Sequence, residues 1–181
     1  KAQFKMSSTG SSAASLARKR FKWTEERWSE KTSNSLQENP VIDEMTFSCQ
    51  RRSAKCQWSG TGRWASITLE DNTVRVPYQP GLAWWADESG RTNPIHIQQP
   101  FSIRSDVTVP IPEGYTVHVP ADGDGEGPYA SWSRVVERDG ATLKISWNLS
   151  LKAVTVPPTE FERFRQMFVD YRGPKILLKA P

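Results

Sequence analysis

Regular alternation of apolar and polar residues is the dominant pattern in the second half of the chain. One run places apolar residues at every second position, namely Leu143, Ile145, Trp147, Leu149 and Leu151. Successive side chains of a strand point to opposite faces, so this run indicates a strand with one buried face. The dipeptide Asp139-Gly140 precedes it and favours a tight hairpin. We expect this strand to be a central one in an antiparallel sheet.

Other segments show the same period of two, among them Val107-Val109-Ile111 and Tyr115-Val117-Val119 on either side of a Pro-Glu-Gly turn. Further strands are predicted over 1–6, 41–49, 56–59, 63–69, 73–78, 130–137 and 175–179, with Gly60-Thr-Gly62 as a turn. Short strands separated by turn residues are typical of a sandwich. The predicted fold is therefore mainly β, a two-layer antiparallel β-sandwich of the jelly-roll-like or Ig-like kind.

Two segments instead carry the period of a helix. Apolar and small residues at steps of three and four, from Ala14 to Trp28, predict one long helix near 12–37 that Asn39-Pro40 ends. Near the end of the chain, Thr159-Glu-Phe-Glu162 has the form of a capping box. It opens a short helix near 159–172 whose aromatic face consists of Phe161, Phe164, Phe168 and Tyr171.

Length and charge limit the number of domains and the kinds of partner that the chain can have. The chain has 181 residues, which suits one good-sized domain, and we expect residues 1–181 to form a single one. The net charge of +4 is a mild excess, and the basic cluster Arg18–Arg20 precedes Glu25 and Glu26 at helical spacing. This favours a solvated helix face, with no nucleic acid as partner. No apolar run approaches the roughly 18 residues of a membrane span.

The first residue is not Met, and the chain opens inside a strand candidate. We therefore expect a piece excised from a longer protein.

The segment Pro80–Pro100, rich in Pro, Gly and Trp, is the best candidate for a binding surface. Adjacent residues of an extended chain face opposite sides, so Trp84 and Trp85 cannot both enter one core. One is expected to cover the core edge and the other to face a groove, a partner or solvent. The candidate binding residues are Trp84, Trp85, Trp64, Arg91 and His96. A loop that only caps the core is the alternative interpretation, and we favour it over a binding surface.

Cys49 and Cys56 flank a polar segment that would join the arms of a hairpin. They are either a disulfide, which an oxidising compartment would permit, or two small buried hydrophobic residues. Their spacing matches no metal-binding motif.

Catalytic and metal-binding motifs are absent from the sequence, including G-x-S-x-G, H-E-x-x-H, a phosphate loop and a dinucleotide fingerprint. The histidines are His96 and His118, and alternation places His118 on the solvent side of its strand. A catalytic nucleophile would require a cysteine and a histidine that are distant in sequence but adjacent in the fold. The acidic segment Ala121–Gly127 departs from the calcium-loop pattern and is predicted to be a solvated loop. We expect no enzyme activity, no cofactor and no metal.

Several segments, in order, resemble the C-terminal region of bacterial transglutaminase-like proteins, in which β-domains of unknown function flank a transglutaminase core. They are Gly10-Ser-Ser-Ala-Ala-Ser-Leu-Ala-Arg18, Gln99-Pro-Phe101, Ile111-Pro-Glu-Gly-Tyr-Thr-Val117 with Pro120, Gly127-Pro-Tyr129, Gly140, Val156-Pro-Pro-Thr-Glu-Phe161 and Phe164-Arg165. The resemblance covers nearly the whole chain, although 45–78 matches poorly. It implies that the catalytic Cys–His–Asp core lies upstream of this chain. It also implies a periplasmic or cell-envelope setting, which favours the Cys49–Cys56 disulfide.

The resemblance implies a non-catalytic accessory or interaction domain. Such a domain would pack on a transglutaminase-like or peptidase-like core of the same polypeptide and help shape its cleft or bind a protein partner. The alternative is a carbohydrate- or peptide-binding module, with a glycan or a peptide stacked on exposed tryptophans.

Overall fold

The chain is described by a computed structural model. It describes residues 2–20, 23–35, 41–50, 55–63, 67–68, 72–76, 80, 82–88 and 90–181. Its helices are α1 (Gly10–Arg20), α2 (Glu25–Ser35) and α3 (Phe161–Arg172). Its strands are β1 (Ala2–Thr9), β2 (Val41–Gln50), β3 (Lys55–Arg63), β4 (Ile67–Thr68), β5 (Thr73–Arg75), β6 (Ile95–Ile97), β7 (Phe101–Pro110), β8 (Thr116–His118), β9 (Gly123–Glu126), β10 (Ala130–Asp139), β11 (Thr142–Leu151), β12 (Val154–Val156) and β13 (Leu177–Lys179).

Within the described residues, the strands form three antiparallel sheets. The largest has seven strands in the order β2-β3-β1-β7-β11-β10-β9. A four-stranded sheet has the order β4-β5-β13-β8, and β12 pairs with β6. In the large sheet β11 lies between β7 and β10, and Ile145 stands opposite both Val107 and Val136. The predicted central strand is confirmed.

The core lies on one side of the seven-stranded sheet. The alternating residues of β11 are buried there together with Val107 and Val109 of β7. They meet a second layer that contains the aromatic face of α3 and, from the four-stranded sheet, Leu178. The prediction of a mainly β, sandwich-like fold with a short C-terminal helix is therefore confirmed.

The single helix predicted near 12–37 is instead two helices, α1 and α2. The break lies at Thr24, whose Oγ1 accepts a hydrogen bond from the backbone N–H of Arg27 at 3.2 Å. A threonine in this position caps the start of a helix, and Glu25 and Glu26 in the first turn favour the same start. The spacing of three and four residues between small and apolar positions therefore continues from α1 into α2, although the two are separate helices.

The predicted start of α3 is also different. Glu160 takes the N-cap position without a side-chain cap hydrogen bond, so no capping box forms at Thr159. A 3-10 turn over Pro158–Glu160 precedes the helix, closed by the Glu160 N–H bonding to the Pro157 carbonyl at 3.0 Å. The backbone turn that the two prolines begin thus replaces the side-chain cap.

Two predicted loops turn out to be strand. Gly60-Thr-Gly62 lies within β3. A side chain at Gly60 would collide with the carbonyl oxygen of Glu44 and with the ring of Phe4, so only glycine fits there. The acidic segment predicted as a loop over Ala121–Gly127 contains β9, which pairs with β10. In both cases a glycine permits a close approach inside a sheet rather than a turn.

Candidate functional site

The described part of the Pro80–Pro100 segment packs against α3. A 3-10 turn spans Ala83–Asp87, and the half-buried Trp85 ring lies with its centroid 4.9 Å from those of both Phe164 and Phe168. Arg165 donates to the Ala86 carbonyl at 3.1 Å. Arg172 donates to both carboxylate oxygens of Asp87 at 2.7 Å. Trp85 thus covers the core edge.

The other candidate binding residues have separate neighbours. Arg91 pairs with Glu88 of its own segment at 2.6 Å. His96 is exposed on β6, with its Nδ1 3.1 Å from Thr155 Oγ1 on β12. All of Trp64 and the side chain of Trp84 lie outside the described residues. A binding role for these residues stays a prediction.

Cys49 and Cys56 lie directly opposite each other on β2 and β3 and form a disulfide. Cys56 is buried beneath α1. Because both cysteines of the chain are in this bond, neither is available as the thiolate that a Cys–His nucleophile pair requires. His118 is exposed on β8.

Clusters of three or more His, Cys, Asp or Glu side chains able to hold a metal ion do not occur within the described ranges. In the same part of the chain, no helix has the length and apolar character needed to cross a membrane.

The side of the seven-stranded sheet away from the core is covered with polar side chains. Alternation and register place on this side Gln3, Lys5 and Ser7 of β1, Gln57, Ser59 and Thr61 of β3, Ser102, Arg104, Asp106 and Thr108 of β7, Ser131 and Ser133 of β10, and Lys144, Ser146, Asn148 and Ser150 of β11. We call this surface the polar face.

Hydrogen bonds within β7 and between neighbouring strands order the middle of the polar face. Asp106 accepts from Arg104 Nε at 3.0 Å and from Ser146 Oγ at 2.6 Å. Asn148 donates to Ser133 Oγ at 3.2 Å. The hydroxyls of Ser102 and Ser150 are 2.7 Å apart. The side chains of neighbouring strands therefore hold one another in place across β7, β11 and β10.

Val135 of β10 interrupts the polar face. It lies opposite Ser146 of β11. It is 43% exposed, and among the described residues only it and Val41 are large hydrophobic residues with this degree of exposure.

A buried arginine fixes α3 on the opposite side of the sheet. The Arg134 guanidinium donates to the carbonyls of Ala121 and Asp170 at 2.7 Å and of Tyr171 at 3.0 Å. Burial lowers the pKa of Arg134, and the carboxylates of Asp122 and Asp170 oppose this shift. These contacts serve the fold rather than a binding site.

Beside it, a groove of about 410 Å³ opens between β9 and α3, over Trp132 and Met167. Tyr129 at its rim donates to Glu160 Oε2 at 3.3 Å. Burial and the charge of Glu160 raise the pKa of Tyr129.

Sequence reasoning did not identify the polar face, although its signal was present. The polar half of each alternating strand carries it, since every second residue from Ser102 to Thr108 in β7 and from Lys144 to Ser150 in β11 is polar. What the sequence lacks is the strand order, which brings β1 between β3 and β7 and joins these separate rows into one surface.

Comparison with known proteins adds a family. Residues 66–173 match the family model described as a domain of unknown function with a solved structure, DUF3858. No curated protein and no solved structure matches the chain.

Proposed function

Since the chain belongs to DUF3858, a family of domains of unknown function, we propose that it is a non-catalytic accessory domain. In this proposal it docks on a protein partner through the polar face. The partner is the transglutaminase-like or peptidase-like core that the sequence resemblance puts upstream in the same polypeptide. Docking there would help to shape the cleft of that core.

The observation that carries the proposal is the extent and order of the polar face. Adjacent strands are about 4.8 Å apart and a ten-residue strand is roughly 33 Å long, so the face from β3 to β10 covers roughly 600 Å². Specific protein interfaces bury about 800 Å² on each partner, whereas small-molecule sites are concave and mostly apolar. The dimensions and chemistry of the face fit a folded protein.

The polarity of the face supports reversible association with a partner that folds independently. Interfaces between proteins that fold independently are about as polar as the rest of the surface. Lys5 of β1 lies opposite Asp106 of β7, and Arg104 pairs with the same carboxylate within β7. Such a surface would set the orientation of the partner through matched charges.

The disulfide supports a periplasmic or cell-envelope location for this proposal. Bonds between cysteines persist in oxidising compartments and are rare in the cytosol. Cys49–Cys56 joins the two strands at one edge of the sheet that carries the polar face.

The competing proposal is a carbohydrate- or peptide-binding module. It needs indole rings open to solvent, and Trp85 packs on Phe164 and Phe168 instead. This contact counts against Trp85 as a platform for stacking a ligand.

Binding of the separately expressed upstream region of the same polypeptide, measured by calorimetry, tests the docking proposal. Arg104→Glu reverses a charge in the middle of the polar face and is expected to weaken binding at least about tenfold. The control Lys175→Glu makes the same charge change on an exposed residue after α3 and should leave binding unchanged. Circular dichroism establishes that both variants are folded. Equal affinity of the two variants, or no binding by the wild type, would contradict the proposal.

A further inference from the structure

Strand β9 forms one edge of the seven-stranded sheet and, within the described residues, pairs only with β10. Just beyond its end, Gly127 donates its backbone N–H to the Ala130 carbonyl at 2.8 Å. Hydrogen-bonded and non-bonded pairs alternate along an antiparallel ladder, so Gly125 also bonds toward β10. The N–H and C=O groups of Asp124 and Glu126 therefore point away from the sheet, where an edge strand can pair with another chain.

The first side of this edge is acidic. The side chains of Asp124 and Glu126 are exposed and lie on the same side of the sheet as Ser131 and Ser133. Asp124 forms no ion pair within the described part of the chain. Glu126 has a contact of 3.6 Å with Lys152, and both side chains remain exposed. Two carboxylates are thus open to a cationic group placed next to β9.

The second side of this edge is the groove of about 410 Å³ between β9 and α3. Its floor is formed by the half-buried side chains of Trp132 and Met167. Gly125 lies in the middle of the β9 side and contributes no side chain to it. From α3 the groove is lined by one stripe along the helix, Arg163, Gln166, Met167 and Asp170. The groove therefore offers an apolar floor beside the open edge of a strand.

We propose that β9 binds an extended segment of a protein partner in which lysine or arginine stands on both sides of one large apolar residue. The segment pairs antiparallel with β9 and extends the sheet by one strand. Its two basic residues lie opposite Asp124 and Glu126 and exchange backbone hydrogen bonds with them. Its apolar residue lies opposite Gly125 and enters the groove over Trp132 and Met167.

Charge and alternation select this occupant. Opposite charges directly across an antiparallel pair stabilise the pair, and like charges destabilise it. A second copy of β9 would bring Asp124 against Glu126, so the charges oppose pairing between copies of this edge. Successive side chains of a strand face opposite sides, so a segment with basic residues beside the two carboxylates turns its middle residue into the groove.

The contact involves β9 and α3 and leaves the polar face, as defined from β1, β3, β7, β10 and β11, uncovered. The inference therefore does not rest on the proposed docking function.

Fluorescence anisotropy with the labelled peptide Ser-Lys-Leu-Lys-Ser, capped at both ends, tests the proposal. The wild-type chain is expected to bind it saturably, and the affinity should fall as salt is added. Asp124→Lys/Glu126→Lys turns attraction into repulsion and is expected to weaken binding at least about tenfold. The control Glu113→Lys/Glu137→Lys makes the same charge change at two exposed positions outside β9 and should leave the affinity unchanged. Circular dichroism establishes that both variants are folded.

Altered peptides test the backbone pairing and the groove on the wild-type chain, so they do not depend on the folding of any variant. N-methylation of both lysines removes the N–H groups that face β9 and should abolish binding. N-methylation of the leucine, whose N–H points away from β9, should preserve it. Replacement of the leucine by glycine removes the side chain that enters the groove and is expected to weaken binding about tenfold.

A wild-type chain that does not bind the peptide would overturn the proposal. Equal affinity of the two charge variants would do the same, as would equal effects of N-methylation at the lysines and at the leucine. A glycine peptide that binds as tightly as the leucine peptide would also contradict it.

Discussion

At the scale of single residues, Arg134 connects the two layers of the fold. It is 7% exposed and extends from β10 to the end of α3. The last carbonyls of a helix lack partners within the helix, and a cation near them is favourable. Arg134 supplies both the hydrogen bonds and the charge, and Gly173 leaves room for it because a Cβ there would lie 2.5 Å from the guanidinium.

Arg134→Met is expected to lower the free energy of unfolding by about 3 kcal/mol. The substitution keeps most of the apolar stem of the side chain but removes the guanidinium that donates to the carbonyls of Asp170 and Tyr171. Urea denaturation at equilibrium measures the change. Arg138→Met, on an exposed residue of the same strand, is the control and should change stability by less than about 0.5 kcal/mol. Equal effects of the two substitutions would show that the Arg134 contacts contribute nothing specific.

The sequence indicates only part of this arrangement. Arg134 has the same parity along β10 as Trp132 and Val136, which marks it as inward-facing. Its acceptors, however, are 13 to 37 residues away along the chain. No local pattern identifies partners at that distance, so the role of Arg134 emerges only from the fold.

At the scale of elements, β9 shows how glycine can build a strand. Gly123 and Gly125 face the Trp132 ring, while Asp124 and Glu126 point to solvent. A Cβ at Gly125 would lie 2.6 Å from the indole nitrogen of Trp132. The strand can therefore lie against the indole only because alternate residues have no side chain.

Gly125→Ala is expected to destabilise the protein by about 1–3 kcal/mol, since the new methyl group forces the Trp132 ring or β9 to move. Gly127→Ala is the control, because a Cβ there meets its nearest atom at 3.8 Å. Thermal unfolding followed by tryptophan fluorescence measures both. If the two variants melted at the same temperature, the packing of β9 on Trp132 would be wrong.

Helices and strands whose own residue pattern determines them could be predicted from the sequence. Those that depend on contacts with other parts of the chain could not. The alternation of β11 and the aromatic spacing of α3 specify these elements locally. The break between α1 and α2 depends on one threonine cap, and β9 depends on an indole from the next strand. Propensity favours a turn at glycine-rich segments, and tertiary packing overrides it.

At the scale of the whole molecule, the seven-stranded sheet has two different faces. One is buried under α1, α2, α3 and the smaller sheets, and the other is the polar face. Sequence patterns indicated both kinds of residue, but the binding surface that they predicted was the Pro80–Pro100 segment. In the structure, the described part of that segment packs against α3, chiefly through the Trp85 ring.

The most direct test of the docking proposal is a map of the contact surface by nuclear magnetic resonance. The isotope-labelled chain is titrated with the unlabelled upstream region of the same polypeptide, and the shifts of the backbone amides are followed. We expect the largest changes on β1, β7 and β11, around Arg104, Asp106 and Ser146. Changes confined to residues 80–100, or a spectrum that does not respond at all, would contradict it.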